Sequence, residues 1–388
     1  MIVTVQVILL CCVSVVSVQG QQARAATPSQ SEPDHSLTDR LSERIVCAGL
    51  SRSSWLYELM SAEFPEEALD RYDGEAVFDA ACRRGIIGYY TQNELVQPLT
   101  RRFVCATLVK AFDYAPHSVG VLSDVTEQEN YMATAAYYGY FLPDVKDRLY
   151  PEAQITAEEF VGLKRELDTR RILRGKSALS FGDSIMHGSG NNDDGMGEMI
   201  AAKYGMLCTD YSVPGATMGV CKNHGHIPDQ IRQAEKEHRA ADVIFLNGGT
   251  NDMVFTPVGR IAEGFDMSAV SEKDYSGGFE KTMWMIRRNW SEAPVIYVRA
   301  HNMLLAADDK EQLYGERGLA LAEKWSAVTI DLYNNCAMNT ENPQISDRYT
   351  CPDLRKKDRH DTIHPTALGY ARFYLPPVAD ALVDLFNN

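Results

Sequence analysis

Four short segments of the chain carry the residue types that nucleophilic hydrolysis requires: Gly182-Asp183-Ser184, Pro214-Gly215-Ala216, Gly248-Gly249-Thr250-Asn251-Asp252 and Asp361-Thr362-Ile363-His364-Pro365. A serine hydroxyl is a poor nucleophile until an imidazole takes its proton, and that imidazole needs a carboxylate to fix its tautomer. Ser184, His364 and Asp361 fit those three roles. Asp361 precedes His364 by three positions, so one turn of helix or a tight loop sets both side chains on one side. The negative oxygen of a tetrahedral intermediate needs preorganised donors. The backbone N–H groups of Ser184 and Gly215 and the side-chain amide of Asn251 are the expected oxyanion hole, while Asp183 and Asp252 are read as loop architecture bracing Ser184 and Asn251.

Other chemistry-bearing residues read differently. Cys221, His224 and His226 have a spacing similar to metal ligands, but no fourth ligand is evident, so an ordinary loop is expected there and no metal or cofactor is assigned. His187 and His301 are expected to line a cleft rather than to transfer protons.

These segments need a scaffold that gathers them. After Arg174-Gly175-Lys176, short apolar runs alternate with helical stretches, the pattern of βαβ units and a parallel sheet. The runs are SALSFGDS, MLCTDYSVPG, ADVIFLNGGTND, APVIYVRAHN and AVTIDLYN; Met196 to Tyr204, Pro228 to Arg239 and Gly278 to Asn289 suit helices. In such sheets functional groups collect beyond the carboxyl ends of the strands, which is where the four segments fall.

On those four ordered blocks, the region from Ser177 onward resembles the SGNH, or GDSL-type, serine hydrolase family. Its first block reads Gly182-Asp183-Ser184-Ile185 where the family has Leu in the last place. The resemblance implies a flavodoxin-like three-layer α/β/α sandwich, a parallel five-stranded sheet of order 2-1-3-4-5, and ester hydrolysis without a metal.

Between about Leu37 and Arg174 the pattern is helical, and two stretches resemble each other. In each, a small-residue helix ends at a glycine (Gly85, Gly139), and a proline (Pro98, Pro151) precedes a threonine (Thr100, Thr156) able to cap the next helix. Glu159 completes a capping box with Thr156. This part is similar to the S-layer homology module, with a remnant third copy at Arg44-Ile45-Val46-Cys47-Ala48. The resemblance implies binding of an anionic cell-wall polysaccharide through Arg101; a helical spacer is the alternative. The texture change predicts two separately folding parts, residues 37–174 and 175–388, so that a chain starting at Ser177 is expected to fold.

The composition agrees with a folded protein. Hydrophobic residues are 45% and charged residues 23% of the 388, which excludes collagenous, wholly disordered and multi-span membrane chains. A formal charge of −15 repels phosphate backbones, so nucleic acid is not an expected partner. Met1 to Val18 is uncharged and mostly apolar, and Ala23-Arg24-Ala25 offers a cleavage site, which reads as a signal peptide (1–25) followed by a linker (26–36). An uncleaved signal anchor is the alternative, and no other membrane contact is expected.

Outside Cys11 and Cys12 of the leader an odd number of the 9 cysteines remains. Cys208 with Cys221 and Cys336 with Cys351 are candidate disulfides, and Cys47, Cys82 and Cys105 read as small buried hydrophobes. The combined expectation is a secreted or wall-associated serine esterase acting on an acylated carbohydrate, most simply by removing O-acetyl groups from an extracellular polysaccharide. A lipase or general carboxylesterase, transfer of acetyl groups between glycans, and a wall-binding protein with a vestigial hydrolase are the alternatives.

Overall fold

The computed structural model describes residues 50–95, 97–303, 308–352 and 360–387. The expected signal peptide and linker, Cys11, Cys12, Cys47 and the segment Arg44 to Ala48 lie outside the described residues. No described helix is long and apolar enough to cross a membrane.

The front part consists of helices α1 (Arg52–Glu63), α2 (Gly74–Arg83), α3 (Arg101–Ala111), α4 (Asn130–Tyr137) and α5 (Ala157–Leu173). Local chemistry fixes their ends. Thr100 accepts from the Phe103 N–H at the start of α3, and Thr156 forms the full capping box with Glu159 at the start of α5. Gly85 and Gly139 stand at φ +71° and +77° just past α2 and α4. There the residue after each glycine bonds back five positions, Ile86 N to Ala81 O and Tyr140 N to Ala135 O, which satisfies orphan carbonyls in the same way twice. The two helices therefore end in the same capping geometry.

Antiparallel bridges join Ser51 to Pro98 and Thr100 to Gln154. Arg101 does not present a free guanidinium. It donates to Glu159 Oε1 at 2.6 Å and 3.0 Å and to the Leu149 carbonyl at 2.9 Å, so the first turn of α5 supplies the anion internally.

The remainder is a three-layer α/β/α sandwich. In chain order it runs β1 (Ser177–Phe181), α6 (Ser184–His187), α7 (Met196–Tyr204), β2 (Leu207–Asp210), α8 (Ile227–Lys236), β3 (Val243–Leu246), α9 (Asp252–Phe255), α10 (Tyr275–Asn289), β4 (Val295–Arg299), α11 (Asp308–Lys324), β5 (Val328–Asp331), a hairpin of β6 (Thr350–Pro352) and β7 (His360–Pro365), and α12 (Leu375–Phe386). The five-stranded sheet is parallel with order β2-β1-β3-β4-β5. β3 and β4 are buried throughout, as apolar runs must be when helices cover both faces. Helices α8, α10 and α11 pack together on one face, and α7 and α12 on the other.

The front helices dock on the α7–α12 layer through α5. Arg170 of α5, 5% exposed, pairs with Glu63 Oε2 at 2.8 Å and donates to the Lys203 carbonyl at 2.8 Å at the end of α7. Tyr204 donates to Glu166 at 2.6 Å. Leu163, Leu167 and Leu173 of α5 belong to the same apolar cluster as Tyr204 and Leu382, so one continuous core crosses residue 175.

Neither expected disulfide forms. Cys208, Cys221 and Cys336 are free thiols. Cys208 points from β2 toward Ser180 and Gly197 under α7, whereas Cys221 lies in the loop beyond the sheet near the Phe255 carbonyl, so bracketing a loop in sequence does not bring these sulfurs together. Cys336 accepts from the Met338 N–H, and Cys351 sits on β6 beside Asp361 and His364. Cys105 is buried as expected, while Cys82 is half-buried and donates to the Gly88 carbonyl.

Candidate active site

Strand β1 ends at Phe181, and the next three residues form a turn that only glycine can open. A Cβ on Gly182 would lie 2.7 Å from the Met186 Cβ, and the Gln230 side chain binds both the N–H and the carbonyl of Gly182. Asp183 is fully buried and caps α6 by accepting from the Ile185 N–H at 2.9 Å. Its other oxygen has no hydrogen-bond partner among the described residues, and burial raises its pKa above the ordinary carboxylate value. Ser184 is thereby fixed as the first residue of α6, and the Tyr370 hydroxyl bonds the Ile185 carbonyl at 2.6 Å to hold that turn against the C-terminal helices.

The facing groups come from β7. Asp361 Oδ1 accepts from the N–H groups of Ile363 and His364 at 3.0 Å and 2.8 Å, and Thr362 takes a left-handed conformation at φ +62°. This tight loop points both side chains the same way. His364 Nδ1 donates to Asp361 Oδ2, and His364 Nε2 lies 2.8 Å from Ser184 Oγ. Burial pushes the Asp361 carboxyl up, but the hydrogen bonds from the His364 side chain and backbone outweigh it and hold the group below its ordinary value. A charged carboxylate only accepts, so Nδ1 carries the ring proton and Nε2 is left to accept from the serine hydroxyl. Gly190 makes room for this loop, since a Cβ there would come within 2.7 Å of the His364 carbonyl oxygen.

Gly215 and Asn251 sit on two loops tied to each other. Asn251 Nδ2 donates to the Ala216 carbonyl at 3.0 Å, which uses one of its two N–H bonds and fixes the amide beside Gly215. Gly215 is at φ +79°, and His224 Nδ1 binds its carbonyl at 3.1 Å while the His224 ring packs on Phe255. Asp252 clamps the same loop by accepting from the Met218 and Gly219 N–H groups, both at 2.9 Å, and from Thr256. Its burial lifts its pKa to about 6. The arrangement offers a hydroxyl with a base, a base with a carboxylate, and an amide donor on an adjacent strand end. Together these are the parts for attack on a carbonyl carbon and protonation of the leaving alcohol.

Residues 180–372 match the model of the GDSL-like Lipase/Acylhydrolase family. This match supports an ester hydrolase. Solved structures similar to this acylhydrolase region include a Lactobacillus plantarum protein, 19% identical, matched over 55% of this chain and 98% of that one with a TM-score of 0.44. Est24, a carbohydrate acetylesterase from Sinorhizobium meliloti, is 16% identical over 54% of this chain and 100% of its own, at TM-score 0.38. The native aryl esterase of M. smegmatis has the same identity, coverage and TM-score. No curated protein sequence matches the chain.

The acylhydrolase fold sorts the remaining sequence-read residues. His187 binds Asp210 at 3.2 Å and so ties α6 to the end of β2. Cys221, His224 and His226 do not converge: their side chains serve the Phe255 carbonyl, the Gly215 carbonyl and Asp229. His301 is fully buried behind the Asp361–His364 loop, where Nδ1 bonds the Tyr374 hydroxyl at 2.7 Å and Nε2 the Thr362 carbonyl at 3.3 Å. Burial pushes its pKa down to about 4, so the ring is neutral at pH 7, and because a carbonyl only accepts, Nε2 carries the proton. His301 thus holds the left-handed residue between the base and its carboxylate, a role that sequence does not reveal because its partner lies 61 positions away. His301→Phe removes that donor and is expected to lower kcat about tenfold with KM little changed, as loss of a buried hydrogen bond costs about 1–3 kcal/mol. His301→Gln, which keeps a donor, should restore part of the rate; equal loss in both variants would mean that only packing matters there.

Proposed function

We propose that the chain is a secreted serine esterase that removes O-acetyl groups from an extracellular or cell-wall polysaccharide through an acyl-Ser184 intermediate. The observation that carries the chemistry is the unbroken hydrogen-bond line from Ser184 Oγ through His364 to Asp361. His364 takes the serine proton as Oγ attacks the ester carbonyl, then returns it to the leaving alcohol. A water molecule deprotonated by the same nitrogen then frees the acid. Gly215, Asn251 and the Ser184 amide are the donors assigned to the oxyanion. Asn251→Ala is accordingly expected to lower kcat roughly 10²- to 10³-fold while KM changes little, read by steady-state kinetics on p-nitrophenyl acetate. An unchanged kcat would remove Asn251 from the oxyanion hole.

Secretion rests on the apolar segment from Met1 to Val18. The second reading, a lipase or general carboxylesterase, is supported by exposed Val254 and Phe255 on α9, directly after Asn251, and by exposed Val213 and Val220 flanking the Gly215 loop. Purified protein assayed on acetylated xylan, pectin, chitin oligomers and peptidoglycan should release acetate from at least one. On p-nitrophenyl esters, kcat/KM should fall as the acyl chain lengthens. A rise with chain length, with no acetate from any glycan, would select the lipase reading.

A further inference from the structure

We propose that Cys351, Asp361 and His364 form a binding site for a thiophilic divalent cation of the Zn²⁺ class, and that occupation of this site switches the esterase off. The proposal rests on the reading of His364 as the general base. The ligand atoms of these three side chains lie within 4.8 Å of one another. Thiolate sulfur, imidazole nitrogen and carboxylate oxygen make up a donor set suited to zinc, and three protein ligands leave a fourth position for water.

The convergence is built into the backbone. β6 and β7 pair with Thr350 opposite Pro365 and Pro352 opposite His360, and the pairing is irregular between Thr350 and Pro352, at Cys351 itself. Cys351 therefore faces the loop that runs from Asp361 to His364. The His364 and Asp361 side chains are 23% and 19% exposed and Cys351 is half-buried, so a cation can enter from solvent.

Occupation has a definite chemical consequence. The Cys351 S–H bond breaks, its proton passes to solvent, and a sulfur–metal bond forms with no electron transferred. At His364 the cation takes the Nδ1 lone pair, and the proton displaced from Nδ1 moves through solvent to Nε2. The ring stays neutral, but Nε2 now carries a hydrogen where it must be bare to receive the Ser184 proton. Thiolate and carboxylate together balance the charge of the cation. Binding is thus coupled to release of one proton and weakens as pH falls.

The test uses the full chain with Co²⁺ as a spectroscopic probe and Zn²⁺ as the inhibitor. Wild type should show a thiolate-to-cobalt charge-transfer band, release one proton per cation, and lose turnover with Zn²⁺ in a way that EDTA reverses. Cys351→Ser and Cys351→Ala, two variants of different polarity, should lose the band. Their Zn²⁺ inhibition constants, each measured against the variant's own metal-free rate, should rise at least roughly tenfold, the lower end of what losing even an outer-sphere partner costs. Ser184→Ala should bind Co²⁺ with the band intact, so the site is tested independently of turnover. Absence of the band in wild type would overturn the site. A band with unchanged Zn²⁺-treated activity would overturn the switch and leave the esterase reading standing. Catalysis by Ser184→Ala would overturn the esterase mechanism and leave the band unaffected.

Discussion

Ser184→Ala and His364→Ala are each expected to lower p-nitrophenyl acetate turnover by roughly 10⁴-fold or more, and the double variant should be little worse than either single one, because the groups act as a unit. Both side chains end in the relay, with Ser184 Oγ 2.8 Å from His364 Nε2, so truncating either leaves the backbone bonds of α6 and of the Asp361 loop in place. The fold should persist. Circular dichroism and thermal unfolding should match wild type while kcat collapses, and a variant that keeps most of its rate would take the hydroxyl or the imidazole out of the reaction.

The second large effect concerns the front helices. A chain beginning at Ser177 should aggregate or remain unfolded, although the change in sequence texture after Arg174 suggests a separable half. Removing α1 to α5 takes α5 off α7 and α12 and strips the buried Leu163, Leu167 and Leu173 from the shared core, and each such side chain contributes about 1.5–3 kcal/mol. Their sum rivals the lower end of the roughly 5–15 kcal/mol that keeps a domain folded. The cut also strips Glu166 from Lys203, which is 3% exposed, and Arg170 from the Lys203 carbonyl.

Nearer the site, the Tyr137 hydroxyl contacts Asp194 and Asn191 in the loop after α6, and Arg348, just before β6, donates to the Pro143 and Asp144 carbonyls of the front part. The helices therefore hold loops on both sides of the relay. Expression of residues 177–388 followed by solubility, thermal unfolding and esterase assays decides this. A soluble fragment with the kcat of the full chain would show that the front part serves neither stability nor geometry.

Several features follow from the sequence alone because they are set within a few residues. The five apolar runs become the five strands, Thr100 and Thr156 cap the helices they precede, and Asp361 finds His364 three positions later. The four blocks at strand ends also point to the acylhydrolase family whose model matches residues 180–372. Tertiary structure decided what depends on partners far along the chain. It paired Arg101 with Glu159 instead of leaving it for a polysaccharide, separated Cys208 from Cys221, placed His301 behind Thr362, and set Cys351 against the base. The physical reason is one of range. Side-chain period, capping and tight-turn hydrogen bonds act over a few positions and leave a pattern in the sequence, whereas strand order, hairpin register and helix docking choose among many distant partners of equal chemistry and leave none.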